Sequence, residues 1–220
     1  FASLAAASTT PASVAPATTA AAAIWTRVSA AFDPFHLIAY LGTLPDAYAW
    51  MAAARLWIAG LGMFFLARSW GLRPWGRWFA GLCFPFCGFL VVWLLFPVTN
   101  VAVWLPWLFL AGDRALDRPS FRSIGGLALA TGLVVFGGHV QTSAHVLLAA
   151  GLYVVWRLAT GGLGASPWSS LFAWSAGVVL GLAVAAVEIV PLASYLTKSP
   201  VWGDRDRERA SPWTLTRPRV

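Results

Sequence analysis

Charge is what this sequence has least of. Only 10% of its 220 residues are charged, against about 25% in an average soluble domain, and no charged side chain lies between Arg122 and Arg157. So little charge cannot cover a surface that faces water, which excludes a soluble globular fold. Cysteine is scarce as well: Cys83 and Cys87 flank Pro85 inside an apolar run. Two thiols without a neighbouring His or carboxylate make a poor metal site, so both read as small apolar core residues. The signatures of soluble enzymes are missing too, with no P-loop, no G-x-S-x-G, no H-E-x-x-H and no Rossmann glycine fingerprint. No cofactor is evident, and a divalent metal is left open.

Apolar residues fill the gap. They make up 59% of the chain, with a mean hydropathy of +0.72. The expected fold is all-α, a polytopic transmembrane helix bundle of about six spans, because lipid offers backbone polar groups no partner outside a helix. The net charge of +7 and pI near 10.4 do not point to nucleic acid. The arginines lie beside hydrophobic spans rather than in one patch, and membrane topology accounts for them.

Three regions follow from composition. Residues 1–31 are an Ala/Thr/Pro-rich loop or tail, with Pro11 and Pro16 interrupting any helix and no basic stretch of the secretory-signal kind. Residues 32–197 form the bundle, and residues 198–220 begin an extracytoplasmic loop in which Asp204 to Arg209 alternate in sign. The whole reads as an internal piece of a longer protein.

Within the bundle, Leu44-Pro45-Asp46 starts a helix that runs to about Arg68. Two spans joined by a polar turn at Pro97-Val98-Thr99-Asn100 occupy Trp78 to Gly112, two more meet at Gly137-Gly138-His139-Val140-Gln141, and the last runs from about Trp168 to Leu196. The connectors 68–77, 113–122 and 157–168 hold seven arginines, whereas the two turns hold none. By the positive-inside rule the connectors are cytoplasmic and the turns near Asn100 and His139 extracytoplasmic. Trp70, Trp75, Trp78, Trp156 and Trp168 crowd the basic boundary as an aromatic belt would.

The polar groups of the opposite boundary are the candidate site. From Arg122 to Gly137 a helix climbs roughly 23 Å, short of the ~30 Å hydrocarbon core, so the bend sits slightly below the headgroups. Glu188 lies roughly 30 Å along the last span, near the same level. His139, Gln141, Glu188, Asn100 and Arg55 are therefore the candidates for binding a substrate or lipid phosphate. Each has a plainer reading: His139 and Gln141 satisfy the backbone freed by the glycines, Asn100 is a turn residue, Glu188 joins a polar network, and Arg55 snorkels to the interface. His145, one turn after Gln141, is expected to be met by a neighbouring helix. Gly60 and Gly62 suit close helix packing.

The order of Asp33-Pro34-Phe35-His36-Leu37, Leu61-Gly62-Met63-Phe64-Phe65-Leu66-Ala67-Arg68, Phe84-Pro85-Phe86-Cys87-Gly88-Phe89, Gly137-Gly138-His139-Val140-Gln141 and Val187-Glu188-Ile189-Val190-Pro191 resembles the bacterial YfhO family of polytopic membrane proteins. The resemblance covers about Phe32 to Leu196, with Val140 where the family usually has Pro. It implies a GT-C-like glycosyltransferase of the bacterial cytoplasmic membrane. Such enzymes take a sugar from a polyprenyl-phosphate-linked donor and act on cell-envelope polymers at the outer face. The resemblance also implies that the catalytic acid lies in an outer loop upstream of Phe1, so no catalytic residue is assigned and Glu188 only assists. The alternative is a transporter or flippase without transferase chemistry, in which the broken span lines a path; no internal inverted repeat supports it. Membrane lipid is the other expected partner. For topology, cysteines at positions 99 and 139 are expected to take an impermeant label from outside and those at 73 and 118 to be protected; the reverse pattern would overturn the orientation.

Overall fold

A computed structural model describes residues 32–40 and 44–198. The expected tail at 1–31 and, apart from Lys198, the loop at 198–220 lie outside the described residues. The chain divides into two compact units, and the larger, Val28–Glu188, holds the helices and contacts described below. In the other, Ile189–Lys198 is described; it is the later part of a helix that contains Pro191.

A 3-10 helix, Pro34–Tyr40, comes first. The Asp33 carboxylate folds over its start, accepting the Phe35 N–H at 3.3 Å and His36 Nδ1–H at 3.0 Å. The α-helices follow as α1 (Leu44–Ser69), α2 (Pro74–Cys83), α3 (Gly88–Val92), α4 (Pro97–Ala102), α5 (Leu105–Asp117), α6 (Phe121–Phe136), α7 (Val140–Ala159), α8 (Pro167–Val184) and α9 (Ala186–Lys198). Every described element is helical, as the lack of alternative backbone partners in lipid requires.

Among the described residues, four helical stretches are long and apolar enough to cross a membrane: Asp46–Ser69, Pro74–Val92, Val140–Ala159 and Pro167–Val184. The sequence predicts about six, and the difference has a local cause. The residue before a proline is pushed out of the helical region, and Phe96, before Pro97, is extended at φ −99°, ψ 156°. Together with a turn at 84–87 around Pro85, this divides the apolar run 78–112 into α2 to α5. The segment 97–100 is thus the start of a short helix rather than a polar turn. Of the remaining two expected spans, one is α6, a shorter apolar helix, and the other is interrupted between α4 and α5. The last expected span breaks at Ala185, where α8 ends and α9 begins.

Small residues let the helices approach. A Cβ on Gly177 would stand 2.8 Å from Leu127 Cδ2, and one on Gly181 would stand 2.5 Å from Thr131 Cβ and 2.6 Å from the Ala128 carbonyl oxygen. This Gly-x-x-x-Gly pair therefore sets how closely α8 meets α6. Likewise, a Cβ on Gly60 would lie 2.8 Å from the Gly81 carbonyl oxygen, so α1 and α2 nearly touch by their backbones. Gly62 gives room to the Trp107 indole, whose N–H donates to the Ile58 carbonyl at 2.9 Å. The packing role expected of Gly60 and Gly62 is met. Cys83 departs from expectation: it is exposed at the end of α2 rather than in the core, and Cys87 is half-buried.

At the arginine-bearing end, Asp113 of α5 gathers three partners. Oδ2 accepts the Trp70 indole N–H at 2.9 Å, and Oδ1 accepts the Tyr153 hydroxyl and Arg157 Nη1, both at 2.7 Å. Arg157 Nη2 continues to Asp117 Oδ1 at 2.5 Å and to the Gly162 carbonyl. One carboxylate thus joins the residue after α1 to α5 and α7. The belt tryptophans Trp70, Trp75, Trp78, Trp156 and Trp168 are all exposed. Thr99 is fully buried, so a label there tests burial instead of topology; exposed Val140 replaces it as the position expected to react from outside.

Candidate functional site

Two glycines make the bend between α6 and α7, for different reasons. Gly138 has φ +73°, which L side chains rarely adopt. Gly137 is held in place by α4: a Cβ there would stand 2.6 Å from Val101 Cγ2 and 3.0 Å from the Asn100 carbonyl carbon. The bend is therefore seated on the backbone of Asn100 and Val101. Ser143 Oγ donates to the Val134 carbonyl at 2.9 Å and closes the hairpin across the two helices.

The N-cap of α7 is His139. Its Nδ1 accepts the Thr142 N–H at 3.2 Å, and the Thr142 hydroxyl lies 2.7 Å from the same nitrogen. The imidazole thus satisfies one of the orphan donors that begin a helix. Gln141 and His145 are exposed, so no neighbouring helix covers His145 among the described residues. It borders a cavity of about 250 Å³ together with Thr142 and Cys87. Glu188 is buried in the first turn of α9, its N–H donating to the Ala185 carbonyl at 3.0 Å.

Arg55 differs most from its plain reading. Instead of snorkelling, it is only 3% exposed. Nη1 donates to the Leu94 carbonyl at 2.7 Å, and the guanidinium carbon lies 5.5 Å from the centroid of the Phe35 ring. The charge of Asp33 acts on it as well. The Phe35 ring in turn packs on Trp104 at 5.8 Å, one turn beyond Asn100, and Phe32 packs on Phe136 at 5.6 Å beside the bend. Asp33, Phe35, Arg55 and Trp104 thus form one connected patch built by the 3-10 helix, α1 and the link between α4 and α5, while Asn100 lies under the bend.

Depth supports the grouping. Arg55 is roughly 20 Å along α1 from Arg68, and Gly137 roughly 23 Å along α6 from Arg122, by helix rise. Of the five sequence candidates, Arg55 belongs to the patch, Asn100 and His139 hold the bend, Gln141 is exposed, and Glu188 is buried on α9. Asp33 is not among the sequence candidates, though it is 1% exposed and central. A carboxylate entering an apolar stretch through Asp33-Pro34-Phe35 was the available signal.

The patch and the bend beside it are incompletely satisfied. Arg55 Nε, Asn100 Oδ1 and Trp104 Nε1 are buried without a hydrogen-bond partner among the described residues, and each such group costs about 1–3 kcal/mol. Burial pushes the Asp33 carboxyl above the usual carboxylate range, against the opposing pull of the Phe35 N–H and the charges of His36 and Arg55. Chemically, the patch offers a guanidinium and an indole N–H to a polar ligand. Among the described residues no three His, Cys, Asp or Glu side chains are grouped to hold a metal ion.

Helix length and hydropathy define a multi-pass membrane protein. No protein-family profile, curated protein or solved structure matches the chain.

The cap assignment can be checked directly. His139→Ala is expected to cost about 1 kcal/mol of stability in detergent, whereas His139→Asn, which can also cap, should stay near wild type. Equal losses in both variants would remove the capping role.

Proposed function

We propose that this chain is a multi-pass glycosyltransferase of the bacterial cytoplasmic membrane, similar to the YfhO family. It would take a sugar from a polyprenyl-phosphate donor and pass it to a cell-envelope polymer at the extracytoplasmic face. The observation that carries the reading is the buried guanidinium of Arg55, with Nε unpartnered among the described residues. A charge inside an apolar bundle is expensive unless something answers it, and a lipid phosphate answers a guanidinium with charge-assisted hydrogen bonds.

In this reading Arg55 holds the phosphate and steadies the charge it gains as it leaves. Asp33 positions Arg55, and Asn100 offers its free oxygen to a sugar hydroxyl. His139 keeps the bend seated beside the patch, and Gln141 and Glu188 are supporting groups. The acceptor hydroxyl attacks the anomeric carbon, a carboxylate takes its proton, and the carbon–oxygen bond to the phosphate breaks with the electron pair leaving on the phosphate. That base is assigned to no described residue.

Arg55→Gln in the full-length protein is expected to lower sugar transfer from a polyprenyl-phosphate donor about 100-fold, the scale of losing one well-placed donor to developing charge. Arg55→Lys should retain part of it. Unchanged transfer by a folded Arg55→Gln protein would overturn the proposal. So would substrate uptake into proteoliposomes without any covalent transfer, which would favour a transporter.

A further inference from the structure

A second feature lies on the other side of α1 from any polar patch. Along the α1–α2 crossing runs a groove of about 490 Å³, walled by aromatic and aliphatic side chains that include Trp57, Phe64, Phe65, Trp78, Leu82 and Phe86. Its floor is the Gly60–Gly81 contact, where two helix backbones come so close that no side chain can fill the space. Trp57, Trp78, Leu82 and Phe86 are all exposed, so the walls stand open on the side where lipid would lie.

Length and charge say what fits. The lining positions on α1 run from Ala53 to Phe65, a helix rise of roughly 18 Å. That matches the depth of one leaflet, about half of a ~30 Å hydrocarbon core. The groove ends at a basic cluster. Arg68 continues the α1 stripe one turn beyond Phe64 and Phe65, and Arg77 precedes Gly81 by one turn on α2, with Arg73 at the cap of that helix. Arg68 and Arg73 are exposed, while Arg77 Nε donates to the Leu72 carbonyl at 2.6 Å and braces the connector.

We propose that this groove is a binding site for an anionic glycerophospholipid of the leaflet that meets the arginine-bearing end. One acyl chain lies along the Gly60–Gly81 floor, and the phosphate is held by Arg68 and Arg73. The apolar walls supply affinity for the chain, and the arginines supply the preference for negative charge. The site is separate from the Arg55 patch, since its lining residues Leu56, Trp57, Gly60 and Phe64 occupy the other face of α1, and it does not depend on the transferase reading.

The test is native mass spectrometry of the full chain, purified in detergent, delipidated and titrated with dioleoyl phosphatidylglycerol or dioleoyl phosphatidylcholine. Wild type is expected to bind the anionic lipid about tenfold more tightly. Arg68→Gln with Arg73→Gln should abolish that preference and leave phosphatidylcholine binding unchanged. Ala53→Trp, which fills the far end of the groove, should weaken both long-chain lipids alike while sparing dihexanoyl phosphatidylglycerol. Because the arginine pair is exposed, it keeps the test decisive even where the filled variant fails to fold. Equal affinity of wild type for the two lipids, or an anionic preference that survives loss of both arginines, would overturn the site. A dimer that forms in place of the lipid adducts would assign the groove to a second copy of the chain and overturn it as well.

Discussion

The alignment of the bundle depends on how one buried carboxylate is answered. Asp113 sits at the end of α5 with both oxygens engaged, by the indole that follows α1 and by the tyrosine and arginine of α7. A carboxylate left alone there would be costly, and removing one member of a buried pair costs more than the pair itself contributes. The three helices are therefore held in register wherever Asp113 is satisfied. Arg157 extends the tie into the loop after α7 through Asp117 and the Gly162 carbonyl.

Away from that end, contact is set by glycine rather than by charge. Gly177 and Gly181 bring α8 onto α6, Gly60 and Gly81 bring α1 onto α2, and Gly137 seats the hairpin bend on α4. In lipid there is little hydrophobic gain from covering one apolar helix with another, so close backbone approach and hydrogen bonding carry more of the association. One consequence is that α1 is held near the arginine-bearing end by the Trp70–Asp113 bond and midway by α2. Its Arg55 is thereby fixed roughly 20 Å further along, at the level of the patch. The ionic tie and the candidate site are opposite ends of the same rigid element.

Much of this was legible in the sequence, for reasons that differ from residue to residue. The Gly137-Gly138-His139 bend stood out because it is local: a glycine pair and a capping side chain announce a turn within five residues. The membrane class followed from scarce charge, and the start of α1 from Pro45 and Asp46. The division of the run 78–112 into four pieces was harder, because prolines in apolar helices are tolerated or not according to tertiary context. Asp113, Tyr153 and Arg157 were invisible as a group. Their separations of 40 and 44 residues carry no periodic signal, and a charged connector reads as solvated when its partners are unknown. The sequence presents Asp33 only as part of a motif, since nothing in it places the carboxylate near Arg55.

The most direct test is a double-mutant cycle on Asp113 and Arg157, with Asp113→Asn, Arg157→Gln and the double variant compared by steric-trap unfolding in bicelles. Two groups that share one buried network should show a coupling energy of about 1–3 kcal/mol, the double variant losing much less than the sum of the single losses. Losses that add to within about 0.5 kcal/mol would mean that the pair does not hold the helices together, and would contradict the account.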